Sequence, residues 1–432
     1  MKPLGIALLG CGVVGSGVVR LLSEQRERLE RRAGRPLQLH KIVVRDVEKE
    51  RLVKVPAELI STDFEEVFND PKIDVVVELM GGVEPARTHM LRSFALKKHV
   101  ITANKAVLAT HGDELFAAAH KAGCTLGMEA SVGGGIPIIH ALTQGLAANQ
   151  ITAIKAILNG TTNFILAAMS DRHLSYDDAL REAQRLGYAE ADPTLDVTGM
   201  DSAQKLAVLA RICFGVSIQG DSIERRGIQK IDLLDIHYAR EMGYVIKLIA
   251  EAWMSEHRVA LHVEPTLISR FDPLAQMPGA YNAIELVGDM VKDSLLCGPG
   301  AGQMPTASAV VADIIDLALG HAAISFNSMK LWESDRGIGL RSPSEIESRF
   351  YIRVNAEEQP GSLAKITGIL GHEQISVASI VQHEQLETQR GLAVPIVIST
   401  HATNLGAIRK AIQSIDNLNC CLAPSIYMPI AE

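Results

Sequence analysis

Three glycines near the start of the chain place the strongest restriction on its fold. Gly10 is the last residue of the apolar run PLGIALLG, and Gly12 and Gly15 follow it closely. Such a run is typical of a strand that is buried on both faces of a parallel sheet. The next stretch, SGVVRLLSEQRERLE, has its apolar residues at roughly helical spacing. Because glycine permits backbone conformations and close approaches that a Cβ prevents, the pattern predicts a strand, a tight turn and a helix.

Such a turn has a chemical use, since the first amides of the helix face an anion. Gly-x-Gly-x-x-Gly between a strand and a helix accepts the pyrophosphate of a dinucleotide, and the alternative is an ordinary glycine-rich turn. The flanking pattern favours the dinucleotide. The residues predicted to bind the cofactor here are Gly10, Gly12, Val13, Val14 and Gly15.

The next predicted strand, QLHKIVVRD, ends at Arg45 and Asp46. A carboxylate at this position accepts the adenine ribose 2′-hydroxyl of NAD(H), whereas an arginine suits the 2′-phosphate of NADP(H). Arg45 comes first, so we predict a preference for NADP(H) and keep NAD(H) as the alternative. The alternative is that Arg45 is an ordinary surface arginine that contacts neither cofactor.

Composition limits the remaining possibilities. A chain of 432 residues exceeds the size of one hydrophobic core, so we expect about two or three domains. A net charge of −8 and the lack of a basic stripe argue against nucleic acid as a partner. No apolar run reaches the roughly 18 residues of a membrane helix, so no membrane partner is expected. The six cysteines form no CxxC pair and indicate reduced thiols in a cytoplasmic protein.

Two further apolar runs, IDVVVELMGG and KHVITANKAVLA, complete a predicted half-sheet. Each ends in small or polar residues, where the carboxyl edge of a parallel sheet opens onto a ligand crevice. Lys105 follows the second run and is bracketed by Asn104 and apolar residues. We expect it to be partly buried, as lysines used in chemistry are, although most lysines at such positions are solvated.

The densest group of charges lies in GYAEADPTLDVTGMDSAQKLAVLA, which holds Glu190, Asp192, Asp196, Asp201 and Lys205. Asp201 and Lys205 are four residues apart at the start of an apolar helix, so their side chains share one face. An ordinary surface ion pair is the alternative for this spacing alone.

The end of the chain has a different pattern. A polar linker, ESDRGIGLRSPSE, follows the small and apolar helix GQMPTASAVVADIIDLALGH. We expect that helix to return and pack on the first domain. From Phe350 onwards the periodicities predict the order βαββαβ, which is ferredoxin-like, with a turn at Pro360-Gly361.

Taken together, these motifs resemble the homoserine dehydrogenase family. The matching stretches are GCGVVGSG, TANKAVLA, EASVGGGIPII, LNGTTNFIL and GYAEADPTLDVTGMDSAQKLAVLA, in the family's order over roughly the first 330 residues. The resemblance is to the monofunctional form, in which no aspartate kinase segment precedes the dehydrogenase. It implies reversible NAD(P)H-dependent reduction of L-aspartate 4-semialdehyde to L-homoserine, in threonine and methionine biosynthesis.

The resemblance also implies roles for individual residues. Lys205 matches the family's catalytic lysine and Lys105 a second active-site lysine near the cofactor, while Asp201 would orient Lys205. The substrate would be held by Gly160, Thr161, Tyr188, Glu190, Asp196 and Asp201. A structural Na⁺ or K⁺, which suits hard oxygen ligands, would be bound by Glu129, Val132, Gly134 and Ile136.

The C-terminal segment resembles the ACT domain, a small regulatory module that binds amino acids. Glu358 stands where an aspartate is usual, two residues before the proline of the Pro-Gly turn. By this resemblance Gly361 and Ser362 would contact an effector, and we expect threonine, the pathway's product, to inhibit. The family also implies a homodimer or homotetramer. The alternatives are another NAD(P)-dependent amino-acid dehydrogenase and a catalytically silent amino-acid sensor.

The expected fold class is therefore α/β, with three domains. An N-terminal Rossmann-type dinucleotide-binding domain precedes an α+β substrate and dimerisation domain, and a ferredoxin-like ACT domain closes the chain. The expected boundaries are 1–136 for dinucleotide binding, 137–303 for substrate and dimerisation, 304–330 for the returning helix, 331–347 for the linker and 348–432 for the ACT domain.

Overall fold

The computed structural model of the chain describes residues 2–333, 337–383 and 393–431. Two compact units are formed, each from three separate stretches of sequence. The first unit comprises Met1–Gly160, Asp201–Ile223 and Tyr281–Ile338, and the second comprises Thr161–Met200, Glu224–Ala280 and Gly339–Glu432. The chain therefore passes repeatedly from one unit to the other, which composition and local periodicity do not reveal.

The described residues form strands and helices with the following bounds. The strands are β1 (Leu4–Leu9), β2 (Leu37–Val43), β3 (Ile60–Ser61), β4 (Val75–Glu78), β5 (His99–Thr102), β6 (Leu126–Gly127), β7 (Ile151–Ile157), β8 (Glu224–Arg225), β9 (Tyr244–Ser255), β10 (Arg258–Ser269), β11 (Tyr281–Gly288), β12 (Lys292–Pro299), β13 (Gly339–Leu340), β14 (Glu347–Glu357), β15 (Val377–Val381), β16 (Ala393–Thr400), β17 (Thr403–Asn404) and β18 (Cys421–Ile430). The α-helices are α1 (Val13–Glu24), α2 (Arg26–Ala33), α3 (Glu65–Phe68), α4 (Ala86–Ala95), α5 (Lys105–Ala122), α6 (Ile138–His140), α7 (Gly160–Arg172), α8 (Tyr176–Arg185), α9 (Thr194–Val197), α10 (Met200–Phe214), α11 (Leu233–Glu241), α12 (Gln303–Leu319), α13 (His321–Met329), α14 (Ser362–His372) and α15 (Leu405–Asp416).

A six-stranded parallel sheet forms the start of the first unit, with the strand order β3-β2-β1-β4-β5-β6. All six residues of β1 are buried, which explains why this strand reads as a continuous apolar run. The order reverses beside β1, and such a switch point is where open α/β sheets bind ligands. The predicted strand, glycine turn and helix are confirmed, and so is the Rossmann-type sheet.

Two details of this sheet and of the helices that follow β1 differ from the sequence-based expectation. Strand β2 ends at Val43, so Arg45 and Asp46 lie in the loop that follows rather than at the strand's end. The helix predicted as one piece is broken at Gln25, whose φ of −114° and ψ of 18° separate α1 from α2. Apolar periodicity continues across this break, so the sequence pattern could not locate it.

Helix α12, which includes most of the first part of the predicted returning segment, packs on α1 within the first unit. The approach is close, since a Cβ on Gly17 would lie 2.8 Å from both the Ala307 Cβ and the Gln303 carbonyl oxygen. No single helix among residues 2–333, 337–383 and 393–431 is long and apolar enough to cross a membrane; α12 and α13 meet that test of length and composition only as a pair, bent by 97°.

The first unit also contains the antiparallel strands β7, β11 and β12, with β11 in the middle. Ala283, Ile284 and Leu286 of β11 are buried. Strand β12 lies beside β11 and leaves Leu295 40% exposed. Its alternate side chains are thus open on one face.

The second unit is built on the long antiparallel pair β9 and β10, which is in register from Tyr244↔Ser269 to Ser255↔Arg258. Strands β8, β13 and β18 also pair with β10. The C-terminal part, β14 to β18, is called the C-terminal module below. Its sheet order is β18-β14-β16-β15, which confirms the predicted ferredoxin-like arrangement.

The predicted linker is more structured than its polar composition suggests. Gly339 and Leu340 form β13 and pair with Arg258 and Val259 of β10. Residues 334–336 of the same stretch lie outside the described residues.

Candidate active site

The glycine turn has the geometry that a dinucleotide requires. Gly10 has a φ of +103°, and a Cβ there would lie 2.7 Å from the Leu79 carbonyl oxygen. A Cβ on Gly15 would lie 2.5 Å from the Gly10 carbonyl oxygen, so this glycine allows the helix to close on the turn. At Gly12, by contrast, a Cβ would meet nothing within 4 Å.

Open space at Gly12 coincides with an uncapped helix start. Helix α1 begins at Val13, and no side chain caps its first amides. Its N-terminal N–H groups, including those of Val13 and Val14, therefore face outwards with the partial positive charge of the helix end. These residues fit the pyrophosphate of a dinucleotide, with Gly12 as the point of closest approach.

Arg45 is exposed in the loop after β2. Asp46 next to it is used within the loop, where its Oδ1 accepts from the Glu48 amide at 2.9 Å and its carbonyl accepts from Arg51 at 2.6 Å. Both side chains are exposed, but only the aspartate has a hydrogen bond that fixes its carboxylate within the loop.

Two lysines share one carboxylate in the first unit. Lys205 donates to Asp201 Oδ2 at 2.7 Å, and Lys105 Nζ lies 3.2 Å from Asp201 Oδ1. Asp201 and Lys205 lie one turn apart on α10, as predicted from their spacing, whereas Lys105 is the first residue of α5. The structure therefore brings together the three residues proposed for catalysis.

One backbone carbonyl and two asparagine side chains hold the cluster of Lys105, Asp201 and Lys205 in place. Lys205 also donates to the Leu158 carbonyl at 2.7 Å, and this carbonyl accepts from Asn282 Nδ2 at 2.9 Å. Asn159 donates from Nδ2 to Asp201 Oδ2 at 2.9 Å. Two of the three N–H donors of Lys205 are thus used inside the protein, which fixes the direction of the third.

The cluster keeps Asp201 ionised. Burial alone would raise the pKa of the Asp201 carboxyl, but the charges of Lys205 and Lys105 hold it well below its usual range. Side-chain exposure is 11% for Lys205 and 34% for Lys105. Two ammonium groups around one carboxylate leave a net positive charge, which suits a site where negative charge develops on a substrate oxygen.

A second buried network holds the start of α5. Asn104 caps the helix by accepting from the Val107 amide at 3.3 Å, and its Nδ2 donates to the Gly82 carbonyl at 2.7 Å. Thr102 donates to Glu78 Oε2 at 2.7 Å and accepts from the Asn104 amide at 2.9 Å. This network ties Lys105 to the carboxyl ends of β4 and β5, the edge where a dinucleotide would lie.

The residues proposed to hold the substrate begin where α7 begins. Gly160 is the first residue of this helix and directly follows Asn159. In the second unit, Thr161 donates to the Tyr188 carbonyl at 2.7 Å, and the Tyr188 ring lies 5.0 Å from that of Phe164. Glu190 is exposed, and Asp196 lies in the short helix α9.

The loop predicted to bind a cation contains a carboxylate and backbone carbonyls, as such a site requires. The carboxylate, however, already has hydrogen-bond partners in the protein. Gly133 and Gly134 have φ of +75° and +56°, which turns the backbone sharply between Val132 and Ile136. The Glu129 carboxylate accepts from the Ile139 and His140 amides at 3.0 and 2.7 Å and pairs with the His140 ring. A carboxylate and three carbonyls fit a hard cation, which would compete with His140 for Glu129.

Sequence reasoning did not identify several side chains that support these sites. They are Glu78, Thr102, Asn159 and Asn282 around the lysines, and His140 and Asp313 around Glu129. Asn159 was within a quoted motif and one residue from Gly160, so the motif itself was the available signal. Thr102 likewise begins the matching stretch TANKAVLA and lies two residues from its partner Asn104, whereas Glu78, Asn282, His140 and Asp313 contact residues distant in sequence and carry no local signal.

Comparison with protein-family models agrees with this geometry. The model for the homoserine dehydrogenase NAD-binding domain matches residues 10–129, and that for homoserine dehydrogenase matches residues 137–315. A third model, the ACT domain, matches residues 350–417. The matched ranges include the glycine turn, the lysine cluster and the C-terminal module up to the end of α15, but not its last strand, β18.

Named relatives cover the whole chain. The homoserine dehydrogenase of Pseudomonas aeruginosa is 40% identical over 100% of both chains, and that of Bacillus subtilis is 38% identical over 97% of this chain and 96% of the relative. A crystal structure of the enzyme from Thiobacillus denitrificans has a TM-score of 0.91 at 40% identity and covers 100% of this chain and 99% of that one. With such similarity along its full length, the chain belongs to the homoserine dehydrogenase family of NAD(P)-dependent oxidoreductases, with an ACT domain at its C-terminal end.

Proposed function

We propose that this protein catalyses the reversible reduction of L-aspartate 4-semialdehyde to L-homoserine in threonine and methionine biosynthesis. The observation that carries the proposal is the pair of lysines, Lys105 and Lys205, around the buried Asp201. A reduced nicotinamide, when bound, supplies the hydride that reaches the aldehyde carbon. The protein must then deliver a proton to the oxygen.

Lys205 is suited to deliver that proton. Its ammonium is held by Asp201 and the Leu158 carbonyl, and its remaining N–H is available for the developing alkoxide. In the oxidation of homoserine the neutral amine would take the hydroxyl proton. Lys105, which is more exposed, would donate to the same oxygen from the side of α5 and the cofactor. Asp201 would orient Lys205 and help to hold the reacting hydroxyl.

Glu190 and Asp196 are proposed to hold the substrate's ammonium group, with Gly160, Thr161 and Tyr188 lining the pocket. Support comes from the Thr161 hydroxyl, which holds the Tyr188 backbone at 2.7 Å and so shapes the start of this loop. Purified protein should oxidise NADPH only when aspartate semialdehyde is added. Absence of turnover with that substrate, but turnover with another amino-acid semialdehyde or keto acid, would assign a different dehydrogenase activity.

NADP(H) is the proposed preferred cofactor, with NAD(H) as the alternative. Arg45 is exposed in the loop that follows β2. A bound 2′-phosphate would need a cation at this loop. Among similar structures, a hyperthermophilic archaeal homoserine dehydrogenase mutant was solved in complex with NADPH, with a TM-score of 0.61 at 26% identity over 74% of this chain and 98% of that one. That complex supports NADPH as a candidate here.

A structural Na⁺ or K⁺ is proposed at Glu129 and the carbonyls of Val132, Gly134 and Ile136. A Cβ on Gly134 would lie 2.5 Å from the Gly300 carbonyl oxygen, so the loop depends on glycine for its path. Such an ion would stabilise the loop and bring no redox chemistry. NaCl or KCl should therefore raise the melting temperature above that in matched tetramethylammonium chloride, and Glu129→Gln should remove the difference. An equal response to all three salts would exclude the site.

The ACT domain is proposed to bind threonine as an inhibitor. A cavity of about 170 Å³ lies at the start of α14 and is lined by Glu357, Glu358, Gln359, Pro360, Ser362, Leu363 and Gln382, among others. Gly361 has a φ of +94° and starts the helix without a side-chain cap, so the helix amides there can receive a carboxylate.

Further proposals concern assembly, location and domain limits. The open face of β12 supports assembly into a homodimer or homotetramer. Six unpaired cysteines, all within the described residues, support work in the cytoplasm. The proposed limits remain 1–136, 137–303, 304–330, 331–347 and 348–432; the family matches at 10–129 and 350–417 lie within the first and the last of them, whereas the match at 137–315 extends past the limit at 303.

A further inference from the structure

Residues 226–228 of the second unit lie between the C-terminal module and the loop that carries Asp196. They are called the connecting segment below, and residues 194–199 are called the substrate loop. The connecting segment directly follows β8, which pairs in parallel with β10 through Glu224↔His262 and Arg225↔Val263. The Arg226 amide continues this pairing by donating to the Val263 carbonyl at 2.8 Å.

Arg226 contacts the C-terminal module through Tyr427 of β18. Its Nη1 donates to the Tyr427 carbonyl, and its guanidinium carbon lies 3.8 Å from the centre of the Tyr427 ring. Tyr427 in turn is paired with Ile352 of β14, one of the two inner strands of the module's sheet. The guanidinium is therefore fixed to the module by a hydrogen bond and by a cation–π contact.

The same guanidinium is held on its other side by Glu264 of β10. Arg226 Nε donates to Glu264 Oε2 at 2.8 Å, and Nη2 contacts the same oxygen. The Glu264 side chain is only 4% exposed and also faces His262. A planar guanidinium with several donors can serve Glu264 and the Tyr427 carbonyl at once, which an ammonium cannot do in the same geometry.

The connecting segment packs directly on the end of the substrate loop. The Ile228 amide donates to the Val197 carbonyl at 2.9 Å. A Cβ on Gly227 would overlap that carbonyl oxygen and lie 2.8 Å from the Thr198 Cα. There is no space between the two backbones, so a shift of the connecting segment must displace the loop next to Asp196.

We propose that Arg226 is a positioning residue that transmits the position of the C-terminal module to the substrate loop and so sets the affinity for the substrate. Strand β18, the guanidinium, the connecting segment and Val197 form one continuous series of contacts. The inference rests on the proposed role of Asp196 in substrate binding, and it assigns no chemical step to Arg226. Its alternative is an arginine that only stabilises the second unit.

Arg226→Lys tests the proposal, because it keeps the positive charge beside Glu264 but loses the second attachment. We expect the KM for homoserine and for aspartate semialdehyde to rise by about 3- to 30-fold, the range of measured couplings between sites. The kcat and the Kd for NADPH should stay within about twofold of wild type. Tyr427→Leu, which removes the ring under the guanidinium, should raise the KM in the same way, and the double variant should show less than the product of the two effects.

Arg409→Lys is the matched control. Arg409 of α15 also joins the module to β8, through Glu224, and donates to the Tyr427 hydroxyl within the module, but it makes no hydrogen bond to residues 226–228 among the described contacts. The KM of Arg409→Lys for homoserine and for aspartate semialdehyde should remain that of wild type. Equal rises in KM for Arg409→Lys and Arg226→Lys, or an unchanged KM in folded Arg226→Lys, would overturn the proposal.

Two further measurements keep the outcome clear. If Arg226→Lys does not fold, Tyr427→Leu decides, since an unchanged KM in that variant contradicts the proposal and a selective rise supports it. Asp196→Asn tests the proposed function separately, because an unchanged KM there removes the substrate role of the loop whatever the Arg226 variants do.

Discussion

At the level of single side chains, Asp201 is the residue on which both lysines depend. Its two carboxylate oxygens are divided between them, Oδ1 to Lys105 and Oδ2 to Lys205. Since Oδ2 also accepts from Asn159, the buried Asp201 side chain has its direction set by three partners. The lysines differ, because Lys205 has a second acceptor at the Leu158 carbonyl and Lys105 is more exposed. The geometry thus favours Lys205 as the fixed proton donor.

Lys205→Ala should remove that donor. We expect kcat to fall by about 10²- to 10⁴-fold, as is usual when a general acid or base is lost, with a much smaller change in NADPH affinity. Steady-state rates and a nucleotide fluorescence titration separate the two effects. Lys121→Ala, at an exposed lysine in the last turn of α5, is the control for the loss of a lysine. Near-normal turnover in folded Lys205→Ala would refute the assignment.

Arg45→Ala should distinguish the two dinucleotides. Only NADP(H) carries the 2′-phosphate, so the Kd for NADPH should rise by about tenfold or more, as for a lost charge-assisted bond, and that for NADH should change little. Lys49→Ala removes another exposed cation from the same loop and is the control. Equal losses for both cofactors would show that Arg45 does not contact the phosphate.

At the scale of helices and strands, local patterns were sufficient for some elements and not for others. The buried run of β1, the glycine turn and the Asp201–Lys205 spacing on α10 depend on neighbours in sequence, and the structure has all three as predicted. Strand β13 forms because it pairs with β10, which the polar linker sequence around it does not encode. Glu78 and Asn282 support the lysine cluster through contacts with distant residues, so no local pattern could identify them.

The pair β9 and β10 contains a buried charge cluster that should make stability depend on pH. His262, 3% exposed, lies between Glu251 and Glu264. Burial alone would lower the pKa of His262, but hydrogen bonds and charges from the two glutamates raise it to about 10. An imidazolium at this position is stabilised by the fold as long as it carries its proton.

The sign of the effect follows from the raised pKa. Below about pH 6.5, the usual pKa of histidine, both folded and unfolded chains bind the proton and the full stabilisation is present. It is lost as pH rises towards about 10, where the folded chain releases the proton. His262→Gln should therefore melt below wild type at pH 6, with the gap closing towards pH 10. His257→Asn, at an exposed histidine in the turn of the same pair, should show no such trend, and a constant gap for His262→Gln would contradict the prediction.

At the scale of the whole molecule, the ACT domain is not a simple appendage. Within the second unit β18 pairs with β10 at Leu267↔Ile430, and β13 pairs with β10 at its other end. Removing the chain from Pro343 onwards would strip β18 from β10 and leave backbone groups unpaired. Truncation would therefore combine a loss of regulation with a loss of stability, and a substitution inside the effector cavity is the sharper experiment.

Leu363→Asp is that substitution. Leu363 lines the cavity in the first turn of α14 and is 38% exposed, so a carboxylate there suits the helix end and should not unfold the domain. It would repel the carboxylate of a bound amino acid. We expect wild type to be inhibited by threonine with a coupling of about 1 to 3 kcal/mol, and Leu363→Asp to lose the inhibition at unchanged kcat. Leu363→Asn introduces a side chain of the same shape as aspartate but without the charge, so this variant should keep most of the inhibition by threonine. Inhibition of Leu363→Asp equal to that of wild type would place the threonine site elsewhere, and a wild-type enzyme indifferent to threonine would leave the cavity without that effector.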